Sequence, residues 1–162
     1  MSVPRHLVTI LAGAVASAAL PATPASAAAG PASMRSEVIR LTNAQRIQAG
    51  CPALTSDTAL TKAAQSHTAD MADHDFVDHT GSDGSSLVDR AQAAGYTGWS
   101  ALAENVAAGQ TTAADVVNSW MNSPGHRANI LNCSLKQIGV GYVTKPGSTH
   151  GTYWTQDFGA KF

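Results

Sequence analysis

The order of structure-forming segments constrains this chain most: its clearest strand-like sequence is confined to the C-terminal end, behind a series of helical stretches. QIGVGYVTK (Gln137 to Lys145) and TYWTQDFG (Thr152 to Gly159) carry the β-branched and aromatic residues of strands, and PGSTHG between them has the chemistry of a turn. In the last strand the period of two puts Tyr153, Thr155 and Asp157 on one face and Trp154, Gln156 and Phe158 on the other. Helices first and a hairpin last exclude an alternating βαβ repeat. They call for an α+β domain in which helices cover a sheet.

The helical stretches read as follows. Residues 28–35 form a flexible lead that passes into a first helix, with Met34, Val38, Leu41 and Ile47 as its apolar set, Ser33 as its cap and Gly50 as its end. A second helix starts near Asp57 and lines up Leu60, Ala64, His67 and Met71 on one face. After the turn-rich GSDGSS come a short helix from Leu87 to Ala94 and another from Ala113 to Met121, the latter closed by Ser123, Pro124 and Gly125. These helices are rich in alanine and need another layer to cover them.

The N-terminal segment has the three parts of a secretion signal. Met1 to His6 carries Arg5 and no acid, Leu7 to Leu20 is apolar, and PATPASA ends at Ala27 as a small-residue cleavage site. Residues 1–27 are therefore expected to be a signal peptide, and the remainder to act outside the cell. The apolar run is short for the ~30 Å of bilayer hydrocarbon, so no membrane anchor is expected after cleavage. Cleavage would remove one positive charge from a chain of net charge -1, and no basic run remains. Nothing in that balance attracts nucleic acid.

Cys51 and Cys133 are the only cysteines, and an oxidising destination favours pairing them. The other reading, a metal site built on two isolated cysteines, lacks CxxC spacing.

Three residues stand out for chemistry. His79 (in VDHTG) and His126 (in SPGHR) lie in polar, turn-forming contexts, where an imidazole can be a ligand, a base or a hydrogen-bonding strut. Glu104, in LAENVAAG, is the only charged residue between Arg90 and Asp115. An acid among apolar neighbours must be paired or have a raised pKa, which fits a general base and a structural strut equally.

The segments FVDHTGSDGSSLVDRAQAAGY, AENVAAG, VVNSWMNSPGHRANILN, IGVGYV and YWTQDFG, in that order, resemble the bacterial branch of the CAP superfamily. This superfamily comprises cysteine-rich secretory proteins, antigen-type allergens, plant pathogenesis-related proteins and SCP-like extracellular proteins. The resemblance spans about Val38 to Phe158 and sets a domain over residues 36–162. It implies a three-layer α-β-α sandwich with a central antiparallel sheet, and a cavity of paired histidines and glutamates that holds a divalent metal in some members.

By motif, His79 corresponds to the first cavity histidine and Glu104 to the first cavity glutamate. The second glutamate of many eukaryotic members falls on Ser123 and the second histidine on Tyr153, which makes a poor zinc shell. Ser123 and Tyr153 are then candidates for ligand contact, and His126 can fill the gap. His79 and His126 with Glu104 would restore a minimal open site for a divalent metal such as zinc, able to activate water.

Three classes of function follow. One is an extracellular structural or interaction module whose cavity residues mainly hold the fold together; the other two assign the cavity a role. The first of these is a monomeric extracellular module that binds a ligand, lipid, sterol or partner protein; Tyr96, Trp99 and Trp154 are candidates to line an apolar groove, although such aromatics more often serve packing. The alternative is a metal-dependent hydrolase or protease using the His/Glu cavity. For that chemistry the chain has no GxSxG and no HExxH, and its catalytic set is incomplete. Binding ranks first.

Overall fold

The structure is a computed structural model and describes residues 30–162. The expected signal peptide over residues 1–27 lies outside them. The chain forms α1 (Pro31–Gln48), β1 (Thr55–Ser56), α2 (Thr58–His74), α3 (Leu87–Ala93), β2 (Trp99–Ala108), α4 (Ala113–Met121), α5 (Pro124–Ile130), β3 (Gln137–Thr144) and β4 (Thr152–Lys161).

The strands form one sheet in the order β1-β3-β4-β2. β4 pairs antiparallel with both β3 and β2, and the two-residue β1 runs parallel to β3 at one edge. The sheet is thus antiparallel through its centre and mixed at that edge.

The alternation expected for β4 holds and builds the three layers. Trp154 and Phe158 join Ile138, Val140 and Tyr142 of β3 against Val38 of α1, Val116, Val117 and Trp120 of α4 and Ile130 of α5. On the other face Tyr153 packs with Met71 and Ala72 of α2 and Val106 of β2, while Leu60, Ala91 and Tyr96 fill the α2–α3 end. β3 offers glycine on that second face, Gly139 and Gly141, and the α2 backbone comes down directly onto them.

Local chemistry explains the helix boundaries. The Asp57 carboxylate accepts the amides of Ala59 and Leu60 at the start of α2, and Ser86 with Asp89 makes a reciprocal capping box on α3. Thr112 caps α4 by accepting the Asp115 amide. Leu60, Ala64, His67 and Met71 are all buried, as the spacing predicts.

Several expectations are corrected. The lead expected over 28–35 gives way to helix at Pro31, because Gly30 serves as N-cap and proline at the first helical position is preset for helix. Ser33 does not cap; its hydroxyl donates to the Gly30 carbonyl. Ile47 is 63% exposed, and the inward stripe of α1 is Val38, Thr42 and Arg46. Arg46 takes the inner position because its guanidinium has backbone carbonyls to bind. Pro124 and Gly125 do not merely close α4: proline again starts a helix, α5. β2 was not recognisable as a strand, since Ala101, Ala103, Ala107 and Ala108 have little β-propensity.

Cys51 and Cys133 are bonded, with Cα atoms 5.0 Å apart. The bond joins the exit of α1 to the loop after α5.

Candidate functional site

Glu104 sits mid-way along β2 and turns its side chain toward the α2–α3 layer, where it is 3% exposed. Two donors hold it. His79 Nδ1 donates to Oε1 at 2.8 Å, and Arg90 Nη2 donates to Oε2 at 2.6 Å. Because a carboxylate only accepts, the His79 proton at Nδ1 is assigned by its partner. Arg90 is itself fixed: Nη1 donates to the Ser85 carbonyl at 2.8 Å and Nη2 also reaches the His79 carbonyl at 3.0 Å. One guanidinium therefore ties the loop before α3, the His79 backbone and Glu104 together.

The electrostatics follow from this clamp. Burial alone would raise the Glu104 pKa, but the His79 hydrogen bond and the Arg90 charge outweigh it and hold the carboxyl below its usual value. The same hydrogen bond raises the His79 pKa against partial burial. His67 of α2 lies behind the pair, donating Nε2–H to the Asp78 carbonyl at 2.8 Å, and burial lowers its pKa. A neutral His67 is thus the inner histidine and a readily protonated His79 the outer one, with its side chain 59% exposed.

Asp157, like Arg90, is a residue of this site that sequence reasoning missed. It stands directly across the β2–β4 ladder from Glu104 and is fully buried. Neither of its side-chain oxygens receives a hydrogen bond from a donor of the described residues. Burial, followed by the charge of Glu104, pushes its carboxyl well above the usual range. The alternation of β4 could have placed it inward, but an aspartate reads as exposed by default.

The opposite face of β2 carries a second polar chain. Asn129 of α5 donates to the Glu104 carbonyl at 3.1 Å and to Asn105 Oδ1 at 2.9 Å. Asn105 Nδ2 donates to the His126 carbonyl and to Gln156 Oε1, both at 3.1 Å, and Gln156 Nε2 reaches Thr42 of α1 at 2.7 Å. The AENV, GHRAN and TQD motifs are joined by this chain, which ties α5, β2, β4 and α1 through amide side chains.

The remaining candidates are placed as follows. His126 is half-buried on α5; burial, with the charge of His79, lowers its pKa. Ser123 is the N-cap residue of α5 but makes no side-chain cap bond. Tyr153 is fully buried and donates its hydroxyl to Asp75, so in this conformation it offers no surface to a ligand.

The metal expectation fails a fit test. Among the described residues no three His, Cys, Asp or Glu side chains group as a metal site. The His79–His126–Glu104 set forms no such group, and both oxygens of Glu104 are already taken by His79 and Arg90. The three aromatics serve packing and do not share a groove. Trp154 lies in the α1–α4 core stacked on Tyr142, whereas Tyr96 and Trp99 pack on the opposite side of the sheet.

Beside the Glu104 cluster, a cleft of about 500 Å³ opens between α2 and the segment leading into α3. His67 and Arg90 line it, with Asp70, Asp83 and Ser66 among the polar walls and Ala63 among the apolar ones.

Comparison with known proteins agrees with this architecture. Residues 39–158 match the cysteine-rich secretory protein family, CAP. The chain is 39% identical over 136 residues to the uncharacterized protein YkwD of Bacillus subtilis, covering 84% of this chain and 51% of that protein. It therefore spans about half the length of that relative. An extracellular protein containing an SCP domain from Bacillus anthracis superposes with TM-score 0.70 at 29% identity, over 84% of this chain and 45% of the other. An outer surface protein from Borrelia burgdorferi superposes with TM-score 0.69 at 21% identity, over 77% of this chain and 90% of the other, a likeness of fold. With this sandwich, the His79–Glu104 pair and a family match across most of its length, the chain belongs to the cysteine-rich secretory protein (CAP) family.

Proposed function

We propose that this chain is an exported recognition domain that binds an extracellular ligand or partner at the surface formed by His79 and the adjoining cleft. One observation carries the reading: an exposed imidazole is held by a buried carboxylate that is itself locked to a buried guanidinium. That arrangement fixes the direction of a single hydrogen-bonding group at the surface, as a recognition contact requires. Glu104 has both oxygens engaged and is poorly placed to serve as a free base. The cleft carries carboxylates, hydroxyls and the cations Lys62 and Arg90 among small alanines, and the large aromatics Tyr96 and Trp154 are buried in the packing. These features favour a ligand with polar groups over a sterol or fatty acid.

Export is supported by the leader pattern of residues 1–27, by the disulfide and by the extracellular description of the Bacillus anthracis relative. No helix of the described residues is long and apolar enough to cross a membrane.

The test is affinity capture from the producing organism's culture medium, comparing the wild type with His79→Ala, followed by titration of the captured species. A ligand held by the wild type and lost in a folded His79→Ala variant supports the reading. Equal retention by both overturns it. Cholesterol and palmitate serve as apolar probes in the same titration, and saturable binding of either would overturn the preference for a polar ligand.

A further inference from the structure

We infer that Asp157 is a positioning residue for the His79 surface: as a carboxylic acid it donates a hydrogen bond to Glu104 and holds that carboxylate in place under His79. This rests on the reading of His79 as the recognition contact and deepens it, because it names what keeps the contact aimed.

The geometry is the first ground. Glu104 and Asp157 are direct partners in the β2–β4 register, so their side chains share one face, and Asp157 is 0% exposed. Two carboxylates side by side away from water cannot both be ionised. Which one carries the proton is decided by donors. Glu104 receives His79 and Arg90, whereas neither oxygen of Asp157 receives any donor of the described residues. The proton therefore belongs to Asp157, and the acceptor beside it is Glu104.

The surroundings agree from each packed element. On β2 Glu104 presents its negative charge. On α3 Arg90 opposes it, but its two terminal nitrogens are committed to Glu104, the His79 carbonyl and the Ser85 carbonyl. Its Nε, buried without a partner among the described residues, donates to neither oxygen of Asp157. On α2 His67 faces the same Glu104–Arg90 pair, and burial favours its neutral form. On β3 the residue opposite Asp157 is Gly139, which brings no side chain. Burial and Glu104 outweigh Arg90 in holding the Asp157 carboxyl neutral. The result is a chain of support running Asp157 to Glu104 to His79, from the sheet to the surface.

Two measurements on the disulfide-bonded protein test this. With carbon-13-labelled aspartate, infrared spectroscopy at neutral pH should show one protonated aspartate carbonyl band that disappears in Asp157→Asn. The His79 titration followed by NMR should keep its midpoint in Asp157→Asn, because the amide still donates and no charge has been removed. Asp157→Ala should lose the exchange-protected Nδ1–H resonance of His79 that Asp157→Asn retains.

A fall of the His79 midpoint in Asp157→Asn would mean that a negative charge had been removed and would overturn the inference. If the variants fail to fold, the wild-type infrared spectrum decides, and absence of the band overturns it. Neither result bears on whether His79→Ala loses the captured ligand, so the two readings fail separately.

Discussion

A Cβ on Gly139 would stand 2.1 Å from the carbonyl carbon of Leu60, so β3 and the first turn of α2 meet backbone to backbone. Gly141 repeats the contact one turn on, where a Cβ would lie 2.2 Å from Thr68 Oγ1 and 2.4 Å from the Ala64 carbonyl oxygen. This approach sets the depth at which α2, and His67 with it, lies on the sheet.

Gly139→Ala and Gly141→Ala should each destabilise the domain by at least about 1–3 kcal/mol, the usual cost of overpacking, because backbone rather than a flexible side chain must move. Gly125→Ala is the control: it sits in α5 with open space around it and should lose nothing. Urea denaturation of the three variants checks the difference.

Tyr153→Phe should release Asp75. The tyrosine hydroxyl is the first cause of the lowered Asp75 pKa, with Thr149 contributing behind it, so the carboxyl should titrate nearer its ordinary value in the variant. Asp75 is also the one non-glycine residue with positive φ among the described residues, at 55°, and its carboxylate receives the Thr149 amide and hydroxyl. Amide exchange across residues 148–151 should therefore quicken. Carboxyl-detected NMR and hydrogen exchange report the two effects.

His79 should give the domain a defined pH dependence. Its folded pKa is raised above the ordinary 6.5, so the native state holds the proton more tightly than the unfolded chain does. The associated stability is fully present below about pH 6.5 and is lost as pH rises through the raised native value. Stability curves of the wild type and His79→Ala, measured across this range, should differ most on the acid side. The difference should narrow on the alkaline side to what the neutral imidazole still contributes through its Nδ1–H. A constant offset at all pH values would contradict the assignment.

Arg46→Met should cost about 3 kcal/mol or more, although methionine fills much of the same volume. The guanidinium is 0% exposed and donates to four carbonyls, those of Pro52, Ile130, Asn132 and Leu135, at 2.8–3.0 Å. Replacing both cysteines by serine should remove a further contribution, about 4 to 5 kcal/mol on chain-entropy grounds for a separation of 82 residues. Chemical denaturation of each variant and of the combination checks both figures.

Legibility in the sequence followed where local chemistry and tertiary demand agreed. α4 was readable to the residue and α2 at its start, where Asp57 caps it, and β4 showed its two faces through alternation. β2 was hidden because a strand of alanines is held by its neighbour β4 and not by its own propensity. α5 was hidden because Pro124 and Gly125 read as a stop when proline was in fact the first helical residue.

At the site, Glu104 and His79 were visible as an isolated acid and a turn histidine in recognisable motifs. Arg90 and Asp157 were not, since one reads as an ordinary helix-surface cation and the other as a surface acid. Only their burial against Glu104 gives them a role, and burial of a charged group runs against composition-based expectation.

The four bonds of Arg46 carry a consequence for the order of assembly. They grasp Pro52 beside Cys51, and Asn132 with its neighbours around Cys133, so the meeting of these two stretches is specified without sulfur. The thiols are brought within reach by a guanidinium that needs no oxidant. The covalent bond then records an encounter already arranged, and oxidation can come last, as the seal on a joint rather than its architect.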